Sequence, residues 1–320
     1  MTRSMTIPSL LLATLVTLHL PVRAADGDAG VQPDPFAVFG EEPLPLTVEH
    51  SVNHSGYFEW GLGLTSADNT GFGRDSGLDN NGVSAIFTMQ MREWRPPQPD
   101  AAAGYWGLDA HHLGLDSRDL SLYWGAVDDY FVSLWYDEQT RHNDKDGKTP
   151  YLGAGSSYLW LPSDWVAAST TAGMTALPKD LQRFEQKIRR ETLGLAFRKR
   201  LDQRWTFLSS AAREEKNGLA TTGAAFYLDA SNPHAVILPQ PIDTITDDIH
   251  VAARYGDGDR NLELGYLYSR FDNHDSLLTW QNPYDTNYGA GIDYPAGIGG
   301  ISEAPDNQMQ QIRLSGNFFA

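Results

Sequence analysis

Hydrophobic and polar residues alternate along most of the chain from residue 57 onward, with the two-residue period of β-strands. In the stretch from Tyr57 to Leu64, one face carries Phe58, Trp60 and Leu62, whereas the other carries glutamate and glycine. Each such stretch is close to the roughly 9 to 11 residues that a tilted membrane-spanning strand needs. The alternation predicts about ten strands, within residues 57–64, 83–92, 105–112, 119–126, 130–137, 191–197, 205–211, 249–255, 261–269 and 311–318.

The connections between these stretches differ in length in a regular way. Gly125–Asp129, Lys199–Gln203 and Gly256–Asp259 are tight turns, in which glycine and aspartate supply the necessary backbone freedom. Outer-membrane barrels combine short periplasmic turns with long external loops, whereas loops longer than about 15 residues are uncommon in compact domains. Long polar loops are predicted at residues 139–184, 214–246 and 272–307.

The predicted fold is all-β, an antiparallel transmembrane β-barrel with about ten strands visible. If the N-terminus is periplasmic, successive strands cross the membrane in alternating directions, and the short turns fall on the periplasmic side and the long loops on the external side. Two connections differ from the pattern in length only, because Glu93–Ala103 is long for a periplasmic turn and Leu113–Ser117 is short for an external loop. Phe318 and Phe319 stand in mid-pattern without a clear closing strand, so we expect an incomplete part of a larger barrel.

The first 24 residues have the features of a secretory signal peptide. Arg3 gives a positive start, residues 10–20 are almost wholly apolar, and Ala24 is a small residue at the cleavage position. A membrane anchor needs about 20 apolar residues, and this run is shorter and ends at Pro21. The predicted organisation is therefore a signal peptide at residues 1–24, a polar periplasmic lead-in at 25–50, and transmembrane barrel strands with long external loops at 51–320.

Composition fits an exported barrel and excludes one class of partner. The mean hydropathy is −0.39, yet the chain holds 9 Trp and 14 Tyr, as expected for half-apolar strands bordered by aromatic girdles. The formal net charge is −17, and without the two arginines of the signal peptide only 22 basic residues face 41 acidic ones. Because no basic stripe is present for a nucleic-acid backbone, we expect no nucleic-acid partner.

Cysteine is absent from the sequence. Disulfide bonds and thiolate metal sites are therefore excluded, and so is a covalent c-type haem, whose attachment requires a C-x-x-C-H motif. A redox centre that acts with this sequence has to arrive on another protein.

Two groups of residues resemble the beginning of a metal or catalytic site. His111 and His112 stand beside Asp109 and Asp116, but adjacent residues of a strand point to opposite faces, so the two histidines cannot bind one ion together. The stretch 144–147, Asp-Lys-Asp-Gly, resembles the start of a calcium loop but is not followed by the glutamate that such a loop needs. We therefore predict no catalytic, cofactor-binding or metal-binding residues.

Basic residues are concentrated at 187–190 and 198–200 in an otherwise acidic chain. The second stretch falls at a predicted periplasmic turn, where anionic headgroups or an acidic partner would meet it. Ordinary turn charges explain it equally well.

Several spaced blocks of the sequence are similar to the N-terminal part of the MtrB/PioB family of decahaem-associated outer-membrane proteins. The blocks are Gly71–Asp79, Gly104–Asp109 and Leu113–Leu122, followed by the pair Asp137-Glu138 and by Glu303–Gln308. The resemblance extends from about residue 57 to the end, and the Gly-Leu-Asp-Ser-Arg sequence within the third block is its most specific feature.

The resemblance implies a sheath in the outer membrane of a Gram-negative cell. Such barrels surround a multihaem c-type cytochrome in the lumen, contact outer-membrane lipid, and allow electrons to cross to or from extracellular donors and acceptors. They need no cofactor of their own, because the haem is carried by the partner. The chain differs from the family in two respects: it lacks the cysteine pair of some relatives, and ten strands are too few, because barrels open into an aqueous channel only at about 16 to 18 strands.

Two other functions remain open from the sequence alone. A complete ten-stranded barrel enzyme of the omptin protease type would group its carboxylates and histidines at the external strand ends. A simple diffusion porin would have a polar inner face and no partner.

Overall fold

The computed structural model describes residues 53–68, 70–226, 234–284 and 297–318. The predicted signal peptide (residues 1–24) and lead-in (residues 25–50) lie outside the described residues. Within those ranges, the helical elements include α1 (Thr70–Gly73), α2 (Leu177–Asp180) and a 3-10 turn at Thr171–Gly173, all of them short. None of the helices described is long and apolar enough to cross a membrane.

Ten strands of the described chain form one antiparallel sheet, in which neighbours follow chain order. Its members are β1 (Asn53–Thr65), β2 (Gly82–Arg95), β3 (Gly104–Leu113), β4 (Arg118–Ala126), β5 (Tyr130–Thr149), β7 (Gln182–Arg200), β8 (Trp205–Phe226), β9 (His234–Gly256), β10 (Arg260–Asn273) and β13 (Asn307–Phe318). All ten predicted strands are confirmed. Each is longer in the structure than the alternation predicted.

The sheet has two different ends, here named the turn end and the loop end. At the turn end, β4 and β5, β7 and β8, and β9 and β10 are joined by the short connections 127–129, 201–204 and 257–259. Asp257 explains one of them, because its Oδ1 accepts hydrogen bonds from the backbone N–H groups of Asp259 (3.2 Å) and Arg260 (2.8 Å). At the loop end, the connections include residues 66–81, 150–181 and 274–306.

The strands continue further toward the loop end than the sequence predicted. β8 and β9 pair without interruption from Trp205–Tyr255 to Phe226–His234, so the loop predicted at 214–246 is wrong and most of it is a β-hairpin. β5 and β7 likewise extend into the loop predicted at 139–184. Outside the membrane both faces of a hairpin are wet, and the contrast between apolar and polar positions therefore disappears while the backbone pairing continues.

The long loops fold together into a second, small sheet, here named the cap. It consists of β6 (Tyr158–Leu159), β11 (Leu277–Gln281) and β12 (Ile298–Ser302), in the order β12-β11-β6. Its core also includes Ala224 of β8 and Leu238 of β9, so the cap packs on the extended hairpin. The buried residues of this core are Tyr151, Leu159, Leu161, Ala224, Leu238, Leu278 and Trp280.

Both edges of the large sheet are open in the described part of the chain. β1 pairs only with β2, and β13 pairs only with β10. In a membrane each of these edges needs a partner strand, because hydrocarbon offers no hydrogen bonds to unpaired backbone groups.

The assignment of the two ends predicts how the protein faces the cell surface. An epitope tag inserted after Gly155, in the loop before β6, should be labelled by antibody on intact cells. A tag inserted after Gly258, in the turn between β9 and β10, should be labelled only after the outer membrane is permeabilised. Equal labelling of both sites on intact cells would contradict the assignment.

Candidate functional site: the two faces of the sheet

The outer face of the sheet is a continuous apolar band. Many outward residues are large and exposed, as on β13, where 76% of Ile312 is exposed, and on β10, where 52% of Leu264 is exposed. Exposure of this kind is unfavourable in water and is required of a face that contacts lipid. The exposed members include Phe58, Trp60, Leu62, Leu64, Val83, Leu120, Leu134, Leu193, Leu195, Ile249, Leu262, Leu264, Ile312 and Leu314.

The apolar band crosses the sheet diagonally. Phe58 on β1 is apolar. If its paired residues are followed across the sheet from one strand to the next, the row reaches the polar residues Arg270 on β10 and Gln308 on β13. On β13 the outward apolar residues begin four positions nearer the turn end, at Ile312. If the apolar band lies parallel to the membrane plane, this offset between paired residues means that the strands are inclined to the membrane normal. Barrel geometry requires such an inclination.

Different side chains mark the two borders of the band. The turn-end border is aromatic, and the rings of Trp205 and Tyr255 lie 5.1 Å apart there on neighbouring strands. Trp106, Trp124 and Tyr130 continue this girdle by their register. Aromatic girdles are typical of the interfaces of outer-membrane barrels.

The loop-end border of the band is a belt of ion pairs. Glu138 accepts hydrogen bonds from Arg118 Nε (2.8 Å) and from Arg189 Nε (2.7 Å). Arg213 donates to both oxygens of Asp247 (2.7 and 2.9 Å), and Arg270 lies 2.8 Å from Asp272. Each residue is among the first outward polar positions beyond the apolar run of its strand, which places the belt where hydrocarbon gives way to headgroups.

The inner face is lined by polar residues, by glycine and by aromatic side chains that lie flat against the wall. A Cβ added at Gly194 would overlap the indole of Trp135, and one added at Gly107 would overlap the ring of Tyr123. The glycines therefore provide the space in which these rings lie along the neighbouring strand. Around them, Phe131, Ala196, Leu208 and Ala252 form a buried cluster, with Tyr105, Tyr123 and Trp135 packed against it.

Charged residues on the inner face are mostly paired across neighbouring strands. Arg254 donates from Nη2 to Glu263 (2.6 Å), and Arg92 lies 3.5 Å from Asp109. His111 Nδ1 lies 2.6 Å from Asp119 Oδ2 on β4. His112, in contrast, has a left-handed backbone (φ 56°) at the end of β3, and its ring centroid is 6.5 Å from that of His111.

The loop end holds a buried cluster that sequence analysis missed. His142 of β5 lies 3.0 Å from Asp79, 3.1 Å from Asp116 and 3.2 Å from Glu185, and only 3% of its side chain is exposed. Lys187 lies 3.0 Å from Asp116. Burial would raise the pKa of the Asp116 carboxyl, but the hydrogen bonds from Lys187 and His142 outweigh it and hold that pKa below its ordinary value.

This cluster joins segments that are far apart in sequence: the loop before β2, the turn before β4, and strands β5 and β7. Asp79 is also 2.7 Å from Lys145. No sequence motif indicates this cluster, because its residues are brought together only by the way in which the strands pair. Asp116 is close to His111 and His112 in sequence, but in the structure it contacts His142.

The other candidates from the sequence are dispersed by the fold. Residues 144–147 belong to an irregular part of β5, where Asp146 pairs with Arg183 (2.6 Å). The basic residues at 187–190 divide between the two faces, since Arg189 joins the outer belt while Arg190 lies 3.5 Å from Glu214. Of the described residues, no three or more His, Asp or Glu side chains are arranged to hold a metal ion.

Comparison with known proteins gives matches of two kinds. The family described as outer membrane beta-barrel porin, MtrB/PioB, matches residues 64–320. Outer membrane protein MtrB of Shewanella baltica (strain OS185) is 29% identical over 211 residues, which are 66% of this chain and 29% of the relative. The chain therefore spans less than a third of the length of this curated relative.

Among solved structures, the chain is similar to the copper transporter OprC. It is 11% identical, with a TM-score of 0.29 over 83% of this chain and 37% of the transporter.

The family match and the structure of the sheet both indicate an outer-membrane β-barrel. The match covers well over half of the chain and nine of the ten strands in full. The inclined antiparallel strands, the apolar outer band and the aromatic girdle are those of a protein that crosses the outer membrane as a barrel wall. The chain is an outer-membrane protein and belongs to the MtrB/PioB family of β-barrel porins.

Proposed function

We propose that the chain forms part of the wall of a barrel that holds a multihaem c-type cytochrome and allows electrons to cross the outer membrane inside it. Family membership supports the barrel and its location. The absence of cysteine supports a division of labour in which the partner carries all covalent haem. The wall itself binds no cofactor in this proposal.

The inner face is the observation that carries the proposal. A diffusion porin has a polar, water-filled interior. Here the rings of Tyr123 and Trp135 lie over glycines of the neighbouring strands, so they add apolar surface without projecting into the interior. A smooth wall with aromatic faces suits a protein occupant, because aromatic residues are enriched where protein surfaces meet.

The His–carboxylate groups support a wall rather than an enzyme. A barrel protease needs an accessible acid and base at the external strand ends. At that end, His142 is buried and surrounded by three carboxylates, two of which also contact lysines, so it is not available to a substrate. His111, near the loop end of β3, pairs with Asp119 of β4 on the inner wall. The ion pairs that both histidines form within the wall account for their presence without a catalytic role.

Co-purification from native outer membranes tests the proposal. The protein, tagged at residue 155 and extracted with mild detergent, should elute with a haem-stained protein that shows a Soret band and carries many C-x-x-C-H motifs. The tagged chain alone, produced in a host without multihaem cytochromes, should show no Soret absorption. Elution without any haem protein, or peptidase activity that is lost on His111→Ala, would contradict the sheath.

A further inference from the structure

A groove runs along the outer face of β8, between larger side chains of the neighbouring strands. Its floor is Ala211, a small residue between bulkier apolar neighbours on the adjacent strands. Leu193 and Leu195 of β7 form one bank, and Ile249 of β9 with Tyr268 of β10 forms the other. The groove has a volume of about 530 Å³.

A second depression lies nearer the turn end, over β9 and β10. It has a volume of about 280 Å³ and is lined by apolar residues, among them Phe207, Val251 and Leu264. Arg213, at the loop end of the groove, and Phe207 are six residues apart on β8, roughly 20 Å along the strand. Because the strands are inclined, this length corresponds to about one leaflet of a hydrocarbon core that is roughly 30 Å thick.

The loop end of the groove is closed by two arginines of the outer belt. Arg213 and Arg270 both line it, together with Asp247. The arginine side chains are 56% and 54% exposed, whereas those of their partners Asp247 and Asp272 are only 26% and 23% exposed. The carboxylates therefore hold the guanidinium groups from the protein side, and the N–H groups that remain are presented outward.

We propose that this groove binds a phosphorylated lipid of the outer leaflet, with an acyl chain along Ala211 and a phosphate on Arg213 and Arg270. A planar guanidinium matches the geometry of phosphate and forms strong charge-assisted hydrogen bonds with it. The arginines lie at the level where the apolar band ends, which is where a lipid places its headgroup. Neither the apolar groove nor the ion pairs depend on a cytochrome, so this inference is independent of the proposed function.

A matched pair of variants tests the headgroup site. Arg213→Gln removes the outward guanidinium, and Arg254→Gln removes the equivalent arginine of an ion pair with Glu263 on the inner face. The full chain, purified in detergent, is titrated with diphosphoryl lipid A and followed by native mass spectrometry. Arg213→Gln should bind roughly tenfold more weakly than wild type, since a hydrogen bond to a charged group contributes about one factor of ten. Arg254→Gln should bind as wild type.

A third variant tests the acyl site without changing charge. Ala211→Phe fills the floor of the groove and should weaken lipid A binding to a similar degree. Each variant is first checked for the shifted migration of a folded barrel in unheated gels. If Arg213→Gln fails that check, Arg213→Lys replaces it; this variant keeps the charge but loses the bidentate geometry and should show a smaller loss.

Three outcomes would overturn the proposal. The first is unchanged lipid A affinity in folded Arg213→Gln and Ala211→Phe. The second is an equal loss in Arg254→Gln, which would indicate nonspecific charge attraction. The third is full displacement of lipid A by millimolar inorganic phosphate, which would indicate a site for free phosphate.

Discussion

Replacement of Leu264 by arginine is expected to impair strongly the assembly of the protein in the outer membrane. Leu264 lies on the outer face of β10, between Ala253 and Leu314 of the neighbouring strands, and its side chain is half exposed to lipid. A basic residue at the midplane of this face costs about 2–4 kcal/mol. That is a large share of a total stability of about 5–15 kcal/mol. The measurement is the amount of protein in purified outer membranes, together with its migration in unheated gels.

The residue next to it provides the control. Glu263 points to the inner face and accepts hydrogen bonds from Arg254, and Glu263→Gln keeps an oxygen acceptor in place. This variant should assemble almost as the wild type does. If Glu263→Gln and Leu264→Arg failed to the same degree, the assignment of inner and outer faces on β10 would be wrong.

Replacement of Gly194 by valine is expected to destabilise the barrel and to displace its occupant. A side chain at this position overlaps the indole of Trp135, which then has to leave the wall and turn into the interior. Overpacking of this kind costs about 1–3 kcal/mol. Under the proposed function, the displaced ring also obstructs the lumen, so the haem protein recovered by co-purification should fall severalfold relative to the barrel.

Gly61→Val is the matched control, because Gly61 lies on the inner face of β1 and a Cβ there meets nothing within 4 Å. It adds the same side chain without moving an aromatic ring, so folded barrel and haem protein should both be recovered at wild-type levels. Loss of the haem protein in Gly61→Val, with retention in folded Gly194→Val, would show that the smooth aromatic wall has no part in holding a partner.

The sequence was sufficient to locate the strands and their faces. On β7, for example, the spacing of Leu193, Leu195 and Phe197 assigns the outer face, since a strand that contacts lipid on one side has to alternate. Where both sides are wet, as in β8 beyond Glu214, that signal is absent, and the sequence pattern predicts a loop where the structure has a hairpin. Alternation therefore predicts the strands only within the membrane and not their extensions beyond it.

The functional features depend on register, which alternation does not reveal. Trp135 lies opposite Gly194 because the pairing of β5 with β7 places them together. His142 meets Asp79, Asp116 and Glu185 for the same kind of reason. The groove on the outer face likewise requires that Ala211 of β8 be bordered by leucines of β7 on one side and by Ile249 of β9 on the other.

The extended hairpin of β8 and β9 has a consequence for exchange at the cell surface. From Arg213, at the membrane border, β8 continues for thirteen residues to Phe226, roughly 40 Å along the strand. This part of the wall stands clear of the lipid as a collar, and the cap packs against it. Under the proposed function, an occupant of the interior is shielded on the side of β8 and β9 above the membrane border, so a large insoluble particle outside the cell contacts it at the rim of the collar, away from the plane of the membrane.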